Sequence, residues 1–183
     1  LVKRVSSTPI LVVYALVNRS YVLDLQPNKS WIRHLLMQGF DVYLLDWKSP
    51  NRMDKYVSFD DYVNSYIDDC VEIVQNNNSS DKITIHGYCM GSSMSAMYTS
   101  LHQEKIKNLV TIAPVIDTSK DTTVIGNISK QMDIDKLVSY IGYLPPEKLY
   151  ECYSILKPFK QGVNKYFNLV ENIDNESFVQ NFL

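Results

Sequence analysis

The sequence predicts an α/β fold, with a mostly parallel sheet, helices on both faces and a helical cap insertion, incomplete at both ends. Three observations carry this. Short apolar runs alternate with amphipathic stretches from residue 10 to residue 113. A Gly-x-Cys-x-Gly string joins the third run to the helix after it. Beyond residue 133 only helical periodicities remain. Strands that alternate with helices through short connections build parallel sheets, because each crossover needs a helix to return the chain to the same edge.

In chain order, Ile10 to Leu16 (ILVVYAL) is continuously apolar, as expected of a strand covered on both faces. Trp31, Leu35 and Leu36 then fall at helical spacing after Ser30, and Gly39 supplies a stop. Asp41 to Trp47 (DVYLLDW) reads as the second strand. Ser58 is a candidate N-cap for a helix whose stripe is Phe59, Tyr62, Val63, Tyr66, Ile67, Cys70, Val71 and Val74. Lys82 to His86 is the third strand, Gly91 to Leu101 a helix of small residues, and Leu109 to Ala113 the fourth strand. These assign residues 1–115 to a sheet-based core and 116–183 to the start of a helical cap, broken at Pro145-Pro146, Pro158 and Gly162. The chain opens on Leu1 and stops at Phe182-Leu183 inside an apolar pattern, so it reads as a piece of a longer protein.

Composition narrows the classes. The 183 residues are 45% hydrophobic and 21% charged, a globular balance, and the net charge of -2 offers no general attraction to nucleic acid or anionic lipid. The longest apolar stretch, Ile10 to Val17, is far below the ~20 residues that cross a bilayer. Three scattered cysteines, Cys70, Cys89 and Cys152, make no metal-ligand pattern and suit a reducing cytoplasm better than a disulfide framework.

The candidate chemistry lies in Gly87-Tyr88-Cys89-Met90-Gly91. It matches the G-x-S-x-G nucleophile elbow with cysteine in the place of serine. Such a nucleophile sits on a sharp strand-to-helix turn in a strained conformation, and Gly87 and Gly91 let neighbouring backbone come close. A thiolate at the head of a helix is a strong nucleophile, and thiol-to-thioester exchange is close to energetically neutral. That leans towards coenzyme A thioesters as substrates.

Several segments resemble the polyhydroxyalkanoate synthases, especially the two-subunit type. They are the elbow GYCMG, YALVNRSYVLDLQP (14–27), DVYLLDW (41–47), DDYVNSYIDDCV (60–71), TSLHQEKIKNLVT (99–111) and LPPEKLYECYSILKPF (144–159). The elbow box of that family usually continues with another glycine, where this chain has Ser92. The resemblance implies an α/β-hydrolase fold and an acyltransferase that polymerises 3-hydroxyacyl-CoA, 3-hydroxybutyryl-CoA foremost, through an acyl group on Cys89. Two donors would hold the oxyanion: the backbone N–H of Met90, directly after the nucleophile, and the backbone N–H of Val17 in the loop after the first strand. It also implies a homodimer, an accessory synthase subunit (PhaE- or PhaR-like), and residence on polyhydroxyalkanoate granules in the cytoplasm. No metal or prosthetic group is called for; the coenzyme A thioester is the substrate. The cap aromatics Tyr140, Tyr143, Tyr150, Tyr153, Phe159, Tyr166 and Phe167 would either face the granule or pack the cap on the core.

The fold orders its triad nucleophile, acid, then histidine. His34 and His86 precede Cys89, and His102 follows on the helix leading away from it, so the expected base and acid lie beyond Leu183. Asp117, after the fourth strand, is the one alternative acid within the chain. Cys70 and Cys152 read as packing residues, and Asp60, Asp61, Asp68 and Asp69 as helix-start and solvated charges. Two other readings share these residues: a cysteine hydrolase of the same fold acting on esters or thioesters, and a non-catalytic fold member.

Overall fold

The computed structural model describes residues 3–119, 124–145, 148–149, 151, 170–175 and 179. Four parallel strands, β1 (Ile10–Val13), β2 (Val42–Leu44), β3 (Ile83–Tyr88) and β4 (Ile106–Ile112), form one sheet in the order β2-β1-β3-β4. Its register pairs Val12 with Leu44 on one side and His86 on the other, and His86 with Val110. Three helices connect the strands: α1 (Trp31–Met37), α2 (Ile67–Asn78) and α3 (Met90–Leu101). From β1 to β2 the chain moves one way across the sheet; from β2 to β3 and on to β4 it moves the other way. Crossovers of parallel strands are right-handed, so the reversal puts α1 on one face and α2 and α3 on the other. It also leaves a switch point between the carboxyl ends of β1 and β3, where open α/β sheets form their binding crevice.

The core confirms the strand reading at its centre. Ile10 through Ala15 are buried without a break, as are Ile83 and Ile85, and Val63, Ile67, Val71, Val74, Met94 and Tyr98 close over them. Beyond β1, Tyr14 ties the ends of two strands together. Its hydroxyl donates to Asp46 Oδ1 at 2.8 Å and accepts from the Trp47 N–H at 3.0 Å, while the Trp47 indole donates to the Tyr14 carbonyl at 2.8 Å.

Helix starts follow local hydrogen bonding. Ser30 Oγ accepts from the Arg33 N–H at 2.7 Å, and Gly39, at φ 84°, provides the left-handed stop after α1. Ser58 caps its helix as expected: its hydroxyl accepts from the Asp61 N–H at 3.1 Å and the Asp61 carboxylate accepts from the Ser58 N–H at 2.7 Å. Those bonds hold the Asp61 carboxyl below its ordinary range.

Two expectations are corrected, the stripe of the helix after Ser58 and the start and exposure of the fourth strand. Residues Asp61–Tyr66 take a π-helical turn before α2. That turn rotates the stripe, so Phe59 and Tyr66 are exposed while Val63 and Ile67 are buried. Helix α1 forms where the spacing of Trp31, Leu35 and Leu36 predicts it, with Trp31 and Leu36 exposed. The fourth strand starts at Ile106 instead of Leu109, and six of its seven residues are exposed; among the described strands it is the last in the sheet. Within the stretch assigned to the helical cap lie α4 (Val124–Gln131) and α5 (Ile134–Ile141), the latter capped by Asp133 and ending at Gly142, φ 77°.

The chain divides into two compact units, residues 1–120 and residues 121–183. In the second, Tyr140 is exposed and Tyr143 half-buried; Tyr150, Cys152, Tyr153, Phe159, Tyr166 and Phe167 lie outside the described residues. No described helix is long and apolar enough to cross a membrane.

Candidate active site

Cys89 is the hinge residue between β3 and α3. Its backbone stands at φ 54°, ψ −126°, a combination that costs a non-glycine residue on the order of 1–3 kcal/mol and persists only where the surroundings enforce it. They do so directly. The Cys89 N–H donates to the Ile112 carbonyl at 2.8 Å, and the Cys89 carbonyl accepts from the Ser92 N–H at 2.8 Å. The thiol is free and half-buried.

The two elbow glycines have separate steric causes. A side chain on Gly87 would run into the Ser92 backbone of α3. One on Gly91 would overlap the Val13 carbonyl oxygen and lie 2.8 Å from the Tyr14 carbonyl carbon. Gly91 is thus where α3 touches the end of β1, and this contact brings the loop after β1 against the elbow.

Of the two backbone groups expected to hold an oxyanion, the Met90 N–H belongs to the first residue of α3 and has no acceptor one turn back within the helix. The Cys89 N–H, by contrast, is engaged by the Ile112 carbonyl. Val17 lies in a tight turn after β1, closed by the Asn18 N–H donating to the Ala15 carbonyl at 3.0 Å. That bond commits Asn18 and leaves Leu16 and Val17 at the tip, with Val17 exposed.

All three histidines are engaged away from the sulfur. His34 stacks on Trp31, ring centroids 5.8 Å apart. His102 sits at the far end of α3, about 20 Å along the helix from Cys89. It stacks on Tyr98 at 4.5 Å, with Nε2 3.1 Å from Asn64 Oδ1. His86 is buried on the α1 face of β3, where Nε2 accepts from the Trp31 indole N–H at 2.8 Å. That bond assigns the proton to Nδ1, which is buried without a well-formed partner. Burial pushes the imidazole below its ordinary range, partly offset by the nearby Gly87 and Val110 backbone. Asp117 is exposed and its Oδ1 accepts from the Ser119 N–H at 2.9 Å, a local turn that holds its carboxyl low. It is a loop carboxylate facing solvent.

Sequence reasoning gave no role to two residues here. Ser92 and Ser93, both buried, turn their hydroxyls towards the end of β4. A usable signal was present: two hydroxyls on the sheet-facing side of a helix of small residues need partners once buried. Asp68, read as a solvated charge, instead accepts from the Tyr98 hydroxyl at 2.5 Å and from Lys105 Nζ at 2.6 Å. Burial favours its neutral form, but these two donors outweigh that and keep the carboxyl below its ordinary range.

Residues 8–162 match the model of the alpha/beta hydrolase fold family. The chain belongs to the alpha/beta hydrolase fold family. A lipase candidate from Sulfolobus solfataricus superposes with a TM-score of 0.52 at 15% identity, covering 70% of this chain and 44% of that one, which supports the fold alone. Among curated proteins, the poly(3-hydroxyalkanoate) polymerase subunit PhaC of Haloferax mediterranei is 44% identical over 176 residues, covering 95% of this chain and 36% of that protein. The subunit of the same name from Allochromatium vinosum is 41% identical over 175 residues, covering 96% of this chain and 49% of that protein. The chain therefore spans about half, or less, of the length of these relatives. Within the alpha/beta hydrolase fold, a nucleophile in an elbow at the switch point is the expected arrangement, and among the described residues no cluster of acidic, histidine or cysteine side chains could hold a metal ion.

Proposed function

We propose that this chain is the nucleophile-bearing part of a poly(3-hydroxyalkanoate) polymerase, an acyltransferase that uses Cys89. The observation that carries the reading is the cysteine at φ 54°, ψ −126° in the elbow of a chain 41–44% identical to PhaC subunits over almost its whole length. The Cys89 thiolate attacks the thioester carbonyl of a 3-hydroxyacyl-CoA, 3-hydroxybutyryl-CoA foremost. The carbonyl oxygen takes up the negative charge, held by the N–H groups of Met90 and Val17. Collapse breaks the carbon–sulfur bond to coenzyme A, which leaves as the thiol after taking a proton, and the acyl group stays on Cys89. The hydroxyl of a second 3-hydroxyacyl unit then gives up its proton to the base and attacks the acyl-enzyme carbonyl; the new ester bond forms as the thioester bond to Cys89 breaks, and the sulfur leaves as thiolate, ready for the next transfer. The base for these proton transfers and the acid that orients it come from outside this chain, since its three histidines are committed elsewhere. No resident cofactor or metal takes part. A homodimer, an accessory subunit and a polyester granule surface in the cytoplasm complete the proposal.

The test is incubation of the full-length protein with 3-hydroxybutyryl-CoA, following free thiol and insoluble polyester. Coenzyme A release with polymer, both abolished by Cys89→Ala, is the expected result. Release of free hydroxy acid without polymer would identify a hydrolase, and polymer formed by the alanine variant would refute the assignment of Cys89.

A further inference from the structure

Two serines at the head of α3 make side-chain bonds that a helix start does not need for itself. A serine in this position ordinarily caps its own helix or bonds back to the preceding turn. Ser92 instead donates through Oγ to the Ile112 carbonyl at 2.9 Å and accepts from the Ile112 N–H at 3.1 Å. Ser93, the next residue, repeats the pattern with the residue three beyond Ile112, donating to the Val115 carbonyl at 2.6 Å and accepting from the Val115 N–H at 3.0 Å. Each hydroxyl thus satisfies both polar groups of one residue, as a further strand would. Between Ile112 and Val115 lies Ala113 at φ 50°, one of three positive-φ residues other than glycine among the described residues, directly before Pro114.

The Ile112 carbonyl that receives the Ser92 hydroxyl also receives the Cys89 N–H, and the Ser92 N–H returns to the Cys89 carbonyl. Cys89, Ser92 and Ile112 are thereby joined in a closed ring of four hydrogen bonds, with the strained cysteine inside it. Both Ser92 and Ser93 are buried, so water cannot stand in for a lost partner without entering the core. The residue after the elbow glycine therefore has a role that a glycine there could not fill.

We infer that Ser92, supported by Ser93, is a positioning residue that holds Cys89 in its strained backbone conformation and so sets the direction and reactivity of its sulfur. Without the Ser92 hydroxyl, Ile112 loses one donor and one acceptor, and the cysteine peptide is free to relax towards ordinary dihedral angles. The inference rests on Cys89 being the nucleophile.

The experiment measures iodoacetamide alkylation of Cys89 in the full-length protein as a function of pH, read on the Cys89 peptide by mass spectrometry, for the natural sequence, Ser92→Ala, Ser93→Ala and Ser100→Ala. Folding of each variant is checked by circular dichroism. Ser100 lies on the same helix and bonds only within it, to Met97, so it controls for a lost hydroxyl. Ser92→Ala is expected to slow alkylation near neutral pH about ten-fold, ~1.4 kcal/mol in rate terms, and to move the midpoint of its pH profile. Ser93→Ala should do so less, and Ser100→Ala not at all. Folded Ser92→Ala and Ser93→Ala variants with an unchanged rate and pH profile, even if less heat-stable, would overturn the inference. If Ser92→Ala fails to fold, Ser93→Ala decides alone. A Cys89 that reacts no faster than an ordinary thiol in the natural sequence would instead count against the nucleophile reading itself.

Discussion

Gly91→Ala tests whether the elbow is built by contact between helix and strand. Gly91 is the second residue of α3, and the added methyl carbon would overlap the Val13 carbonyl oxygen, 2.7 Å from the Val13 carbonyl carbon and 2.8 Å from that of Tyr14. All of these atoms are backbone, so no rotamer change relieves the overlap. The strand cannot yield readily either: Val12, Val13 and Tyr14 are fully buried, and β1 is paired on both sides. To restore ordinary contact α3 would have to withdraw by roughly 0.5–1 Å, stretching the bonds from Cys89 and Ser92 to Ile112. Overpacking of this kind costs about 1–3 kcal/mol. The higher helix propensity of alanine acts the other way by at most ~1 kcal/mol, and by less in a first turn. A net loss of about 1–2 kcal/mol is expected. With a urea dependence of ~1–3 kcal/mol per molar, the unfolding midpoint should fall by about 0.5–1 M, alongside slower alkylation of Cys89. A midpoint equal to or above that of the natural sequence would show that the helix and strand have slack and that the steric account of this glycine is wrong.

Three further outcomes follow from buried polar groups. Burial holds the His86 imidazole below its ordinary range, so the unfolded chain binds a proton there first. The stability it contributes is complete above pH ~6.5 and is lost as the pH falls from there through the folded-state value, with a limiting slope of about 1.4 kcal/mol per pH unit. Urea midpoints measured from pH 8 to pH 5 should drop for the natural sequence and drop less for His86→Leu; parallel curves would rule this out. Tyr98→Phe removes a hydroxyl that donates to Asp68 and should cost about 1–2 kcal/mol in thermal or urea unfolding, since Asp68 keeps Lys105 and is partly exposed. A change within error would mean that water replaces the phenol. Burial first, then the neighbouring Asp69, pushes the Cys70 thiol up. Its peptide should therefore label more slowly than that of Cys89 at pH 7, and equal rates would contradict the contrast drawn between the two cysteines.

Where a feature depends on residues close together in sequence, the chain alone was enough. The apolar runs at 10–16, 41–47 and 82–86 mark β1, β2 and β3; for the buried β1 and β3 the reason is that a strand covered on both faces has to be apolar throughout. Ser58, Ser30 and Gly39 mark helix ends through bonds and dihedral angles set within a few residues. The elbow is legible for the same reason: Gly87, Cys89 and Gly91 encode one turn. What lay outside this reach is set by neighbours distant in sequence. The exposure of β4 depends on what packs against it and could not be read from its apolar composition. The π-helical turn at Asp61–Tyr66 re-aims Phe59 and Tyr66 by adding one residue to a turn, which a fixed period of 3.6 does not anticipate. The partners of Ser92 and Ser93, about 20 residues on, and the Trp31–His86 bond, 55 residues apart, exist only once β4 and α1 have packed against β3. Sequence thus determined that a sulfur stands at a turn between strand and helix, because that turn is local. The tertiary structure decided what holds the turn in place and which face each histidine occupies, because hydrogen bonds and burial are made between segments that only the fold brings together.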